Sequence, residues 1–343
     1  DSIRGQADNL WDDFWALPLL DRIAHREEYE AKLKELKASY DDATATLSDE
    51  ALNTAASLRE ALYFTPEDHQ QIDIDGDGKL DDVDLGDTRM MSQQELEDIH
   101  KRLQDPSKPL FNIDQGHIGD CHLLSTLNAY NQTEEGRKYL ASLVTPHYNA
   151  QGKIDGYFVD FPGYGRNEKR VFVQDVMLYG DTAGRTPKAD LASVFEKAFI
   201  QSHDGGTKSM FPHAGASASF SAIPMQKISG IPGIPLVNVS AYRGIIKDKT
   251  IAAINSGHPV VAESSLFAGD AQVTADGNQE NIKIASSHVY TVAAADENGV
   301  TLINPWGHNN RIGGSGGRTG ATFTISWEEF YANYGDVTVG FIP

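Results

Sequence analysis

DQGHIGDCHLLSTLNAY, residues 114–130, holds the single cysteine of a 343-residue chain, directly after a glycine loop and at the head of an apolar helical pattern. Leu123, Leu124 and Leu127 fall at one-face spacing, which predicts a helix with Cys121 at its N-terminus. A thiol in that position faces unpaired backbone N–H groups, which favour the thiolate. Gly116 and Gly119 permit a tight backbone path, and Gln115 offers an amide donor six residues before the thiol. Asp120 reads as the helix cap. The residues leave two readings of Cys121: a small buried hydrophobe, or a nucleophile.

A nucleophilic thiol needs a base, and the base needs a group to orient it. The stretch HVYTVAAADENGVTLINPWG, residues 288–307, singles out one of the eleven histidines. His288 opens a strand, DENG makes the turn, and the return strand ends at Asn304. In such a hairpin the two residues lie toward the open ends of adjacent strands, so the Asn304 amide oxygen can accept from the imidazole. Trp306 is then placed to cover that hydrogen bond from water.

QGHIGDC, SHVYTV and INPWG, in this order, resemble the calpain family of papain-fold cysteine proteases. The resemblance implies Cys121 as nucleophile, His288 as general base, Asn304 as its orienting residue and Gln115 as the side-chain donor of the oxyanion hole. Trp306 matches the family's tryptophan beside the asparagine. SVFEKAFIQ resembles the helix usually written with LEKAYAK, GYFVDF and KRVFVQDVML resemble the first strands of the family's β lobe, and SWEEFYANY resembles its closing W-x-x-F segment. The resemblance covers about residues 110–343. It implies an α+β, papain-like, two-lobed core: a helical lobe with the nucleophile, then an antiparallel β lobe with the histidine and asparagine. His122 departs from the family, which has tryptophan after the nucleophile; at i+1 on a helix it points away from Cys121 and reads as a local packing or specificity residue.

Upstream, LLDRIAHREEYEAKLKELKAS (19–39) and the residues from Ser48 to about Tyr63 predict two helices, and Ser92 with Glu95 forms a capping box. DPSKP, at 105–109, reads as a linker. The expected organisation is therefore a helical N-terminal region, 1–109, and a protease core, 110–343. Within the first region, IDIDGDGKLDDVD places Asp73, Asp75, Asp77, Asp81 and Asp84 at positions 1, 3, 5, 9 and 12 of an EF-hand-like loop. Gly78 supplies the sharp turn and Lys79, at position 7, a carbonyl ligand. The expected cofactor is calcium, with Asp84 standing where glutamate is usual.

A net charge of −20, from 49 acidic and 29 basic residues, argues against nucleic acid as a partner. One cysteine excludes an intramolecular disulfide. No stretch approaches the roughly 20 apolar residues of a membrane span. The leading expectation is a calcium-binding endopeptidase acting on protein or peptide substrates, leaning toward export. The alternatives are a papain-fold acyltransferase or deamidase, and a non-catalytic calcium-binding interaction module.

Overall fold

The computed structural model describes residues 69–72, 81–84, 86–164, 169–181, 188–202, 222–312 and 317–343. The two helices expected before residue 64 lie outside the described residues. The chain mixes helix and strand, with two hydrophobic cores.

The first core is built on α2 (Cys121–Asn131). All eleven of its residues are buried, so the leucine stripe seen in the sequence is one side of a helix covered all round. Several of its polar side chains bond within the fold: Thr126 Oγ1 donates to the His122 carbonyl (2.7 Å), and Asn131 accepts from Leu110 N–H (2.8 Å) and donates to the Phe111 carbonyl (3.0 Å). Around it lie α1 (Gln93–Leu103), α3 (Glu134–Ser142), α4 (Leu191–Ser202) and a three-stranded antiparallel sheet of β4 (Val144–Tyr148), β5 (Ile154–Phe161) and β6 (Lys169–Val173). GYFVDF and the KRVFV part of the next segment thus belong to this sheet and not to the β lobe, a correction of the strand placement implied by resemblance. Tyr157, Val159, Phe161, Val171 and Val173 turn inward from it onto the helical core, which fixes them there.

The capping box at Ser92 forms as its spacing predicts: Glu95 N–H donates to Ser92 Oγ, and Ser92 N–H donates to the Glu95 carboxylate at 2.8 Å. α1 contributes Leu96 and Ile99 to the first core, beside Met91. DPSKP is held by Arg137, whose guanidinium donates to the carbonyls of Pro106 and Ser107. α1, upstream of that segment, thus shares the first core. β3 (Thr88–Met90) pairs with β7 (Asp175–Met177), binding this upstream stretch to the first lobe.

The second core fills one large sheet of eight strands in the order β11-β10-β14-β13-β12-β9-β15-β8. These are β8 (Ile234–Val237), β9 (Val260–Ser264), β10 (Asp270–Ala275), β11 (Asn278–Lys283), β12 (Val289–Ala295), β13 (Gly299–Arg311), β14 (Arg318–Ser326) and β15 (Tyr334–Val339). α6 (Arg243–Asn255) and α7 (Trp327–Asn333) pack against it, and α5 (Ala222–Ser229) adds Met225 to a small cluster with Cys121, Ala129, Val261 and Val289. That cluster joins the two cores at the thiol. β12 also meets α2 through two polar ties: Ser125 Oγ donates to the Val289 carbonyl (2.8 Å), and Thr291 Oγ1 donates to the Ser125 carbonyl (2.9 Å).

Candidate active site

Cys121 begins α2, as its sequence position predicts, and packs against Val289, the residue after His288. The β12–β13 hairpin brings His288 and Asn304 together: the imidazole Nε2 and the Asn304 Oδ1 are 3.0 Å apart. The Trp306 ring lies 4.5 Å from the His288 ring, centroid to centroid, and covers it, while Tyr290 meets the same imidazole edge-on at 4.9 Å. β13 continues past Asn304 to Arg311, but its pairing with β14 shifts between Ile303 and His308. In that irregularity Gly307 takes φ 71°, a conformation that side chains rarely adopt.

Gln115 is tied to the same place. Its backbone N–H donates to the Pro305 carbonyl at 2.8 Å, so the glycine loop before the nucleophile is fastened to the residue after Asn304. Its side-chain Nε2 donates to the Ile118 carbonyl (2.7 Å), which engages one of the two amide hydrogens. Gly116 is required by close approach: a Cβ there would stand 2.1 Å from the Gly180 carbonyl oxygen and 2.3 Å from that of Tyr179. Gln115 is thus tied to the residue after Asn304, His288 bonds to Asn304, and Cys121 packs against the residue after His288.

The electrostatics differ from the sequence expectation. Burial pushes the Cys121 thiol up to about 12, and the charges of Asp120 and Glu263 add to the rise; the backbone N–H groups of Val289 and His122 only partly offset it. The expected lowering at the helix N-terminus is therefore overturned: the partial charge of a helix end is about half a unit, and desolvation of a thiolate with two carboxyls nearby outweighs it. Burial likewise takes the His288 imidazole down to about 4, against the favourable Asn304 hydrogen bond. The resting pair is a neutral thiol and a neutral imidazole.

Asp120 does not cap α2. Its backbone (φ −110°, ψ 25°) is not extended as a capping residue's is, and its side chain makes no capping hydrogen bond. The carboxyl is instead fully buried beside Glu196 and Gln115, with burial raising it to about 7. Glu196 accepts from Asp181 N–H, and Asp181 accepts from Asp114 N–H at 2.9 Å; burial holds both carboxyls well above the usual range. His122 is buried edge-on against Phe199, and burial followed by the Lys227 charge takes it down to about 4. Its packing against α4 agrees with a local role.

Glu263 escaped the sequence reading. It lies opposite Val289 on β12 and opposite Asp336 on β15, so its carboxyl stands within reach of the thiol's field. HPVVAESS marks a strand, yet which residue faces the thiol depends on pairing register, which no local pattern states.

Of the aspartate loop, Asp73, Asp75, Asp77 and Lys79 lie outside the described residues. The backbone on either side forms an antiparallel pair, β1 (His69–Ile72) and β2 (Asp81–Asp84), with Ile72 opposite Asp81 and His69 opposite Asp84. Asp81 is the first residue of β2 and Asp84 is its last. Among the described residues no three His, Cys, Asp or Glu side chains converge as a metal site, and no helix is long and apolar enough to cross a membrane. No protein-family model and no curated protein matches the chain.

Proposed function

We propose that the protein is a cysteine endopeptidase with a papain-like, two-lobed core, in which Cys121, His288 and Asn304 act as nucleophile, base and orienting residue. The observation that carries the reading is the junction itself: the 3.0 Å His288–Asn304 contact under Trp306, beside a cysteine at a helix N-terminus that packs on the residue next to that histidine.

In the first half-reaction the Cys121 S–H proton passes to the lone pair of the His288 ring, and the sulfur attacks the peptide carbonyl carbon. The oxyanion that forms is stabilised by the backbone N–H of Cys121 and the side-chain amide of Gln115. The imidazolium returns its proton to the amine nitrogen as the C–N bond breaks, leaving a thioester. Water then gives a proton to His288, attacks the thioester carbonyl and releases the thiol. Because the resting pair is neutral, substrate entry has to stabilise the thiolate–imidazolium form, for which Asn304 is the hydrogen-bond acceptor.

Calcium belongs to the proposal at Asp73, Asp75, Asp77, Lys79, Asp81 and Asp84, where it would brace the upstream region; no catalytic step passes through it. The test is cleavage of an unfolded protein by wild type and Cys121→Ala, in excess calcium and in chelator, read by mass spectrometry. New peptide termini made only by wild type support the reading. Equal cleavage by Cys121→Ala ends it, and a one-dalton gain or a crosslink without new termini replaces hydrolysis with acyl transfer. Calcium dependence of the wild-type rate tests the metal separately.

A further inference from the structure

Behind His288 the side-chain amides form a chain whose direction is fixed at its far end. Asn309, on β13 and 1% exposed, donates through Nδ2 to the main-chain carbonyls of Gly320 (2.6 Å) and Ala321 (3.0 Å). Carbonyls only accept, so the amide of Asn309 is oriented without ambiguity and its Oδ1 faces the other way. That oxygen accepts from Asn304 Nδ2 at 3.1 Å. The Asn304 Oδ1 is thereby turned toward the Trp306 backbone N–H (3.1 Å) and His288 Nε2 (3.0 Å). An oxygen with only lone pairs requires a proton on Nε2, which leaves Nδ1 as the lone-pair nitrogen of the neutral ring.

The two asparagines meet only because of the β13 irregularity. In a regular strand, residues five apart lie on opposite faces and roughly 17 Å apart. The shift between Ile303 and His308 folds the strand so that their amides touch. β14 is itself pinned at this point, since Asp276 accepts from both Thr319 Oγ1 and Gly320 N–H at 2.9 Å.

We propose that Asn309 is a positioning residue for the hydrolytic reaction: by relaying the direction of the β14 carbonyls through Asn304, it sets the His288 tautomer that can receive the Cys121 proton. This inference rests on the assignment of His288 as the base. Asn309 touches neither substrate nor the reacting atoms and acts through Asn304 alone.

The test compares Asn309→Leu, which removes donor and acceptor, with Asn309→Asp, whose neutral carboxyl still accepts from Asn304 and donates to a β14 carbonyl. Long-range proton–nitrogen correlation spectra of the histidine rings, with His288 assigned by its loss in His288→Gln, read the tautomer independently of activity. Wild type and Asn309→Asp are expected in the Nε2–H form, and Asn309→Leu in a mixture. In peptide hydrolysis Asn309→Leu is expected to lose about tenfold in kcat with KM nearly unchanged, to shift the pH–rate profile, and to add nothing in an Asn304→Ala background. Asn309→Ser, too short to reach Asn304, replaces the leucine variant if that does not fold. A wild-type His288 in the Nδ1–H form overturns the proposal without any variant. So does an Asn309→Leu or Asn309→Ser protein with wild-type tautomer, kcat and pH profile while hydrolysis still depends on Cys121, and this leaves the proposed function standing. A wild type that lacks Cys121-dependent hydrolysis overturns both.

Discussion

Replacing Glu263 with glutamine tests whether burial, rather than the helix end, governs the charge state of the site. Glu263 and Asp336 stand opposite each other on β9 and β15, and burial, with the Asp336 charge adding to it, lifts the Glu263 carboxyl from 4.5 to about 8. A raised carboxyl contributes stability that is fully present below the unfolded value of 4.5 and is lost as pH rises through the folded value near 8. A shift of that size corresponds to an upper limit of about 5 kcal/mol at 1.36 kcal/mol per pH unit; solvent reaching a partly buried group cuts this to about 2–3 kcal/mol. At roughly 2 cal/mol/K per residue, a chain of this length unfolds with an entropy near 0.7 kcal/mol/K, so the gain converts to about 3–4 °C. Glutamine cannot ionise. Thermal melts should therefore give wild type and Glu263→Gln the same Tm at pH 4.5, with the variant pulling ahead to a plateau above pH 8. The Glu263 charge also raises the Cys121 thiol, so iodoacetamide should alkylate Cys121 faster in the variant at pH 9. A Tm difference that does not grow with pH, together with an unchanged alkylation rate, would refute the electrostatic reasoning.

Three further expectations follow from the fold. Glu95 is buried, but its bonds from Arg89, Ser92 and Ala189 outweigh that burial and bring it to about 2; Glu95→Gln should cost about 2 kcal/mol at pH 7 in denaturant melts, a loss that fades as pH falls from 4.5 toward 2. Gly116→Ala would drive a Cβ into two backbone carbonyls, so it should lower Tm and slow Cys121 alkylation by displacing the Gln115 loop, whereas alanine at the exposed Gly244, whose Cβ meets nothing, should leave that rate unchanged. His122 is held near 4, so its share of stability is present above 6.5 and lost as pH falls through 4; the Tm of His122→Leu relative to wild type should rise between pH 7.5 and pH 4.5 by the equivalent of about 2 kcal/mol.

Much of the candidate site was legible because it is local. A glycine loop followed by apolar helical spacing puts Cys121 at a helix start, and DENG between two β-type runs makes a hairpin that carries Asn304 on β13 and His288 one residue before β12, 3.0 Å apart. The Ser92–Glu95 box is legible for the same reason: its two bonds span three residues. Asp120 shows where local reading stops. Its type and position suit a cap, yet Glu196, 76 residues later in the chain, defines its surroundings.

By itself the sequence determined the elements whose hydrogen bonds close within a few residues: the helix that begins at Cys121, the capping box and the hairpin carrying His288 and Asn304. Only the tertiary structure decided what joins distant strands. It assigned GYFVDF to the three-stranded sheet of the first core, set Glu263 against Asp336, and brought Asn309 back onto Asn304 through an irregular strand. It also reversed the expected charge state of Cys121. The helix end is a local property, but desolvation is set by every neighbour that excludes water, and those neighbours come from the whole fold.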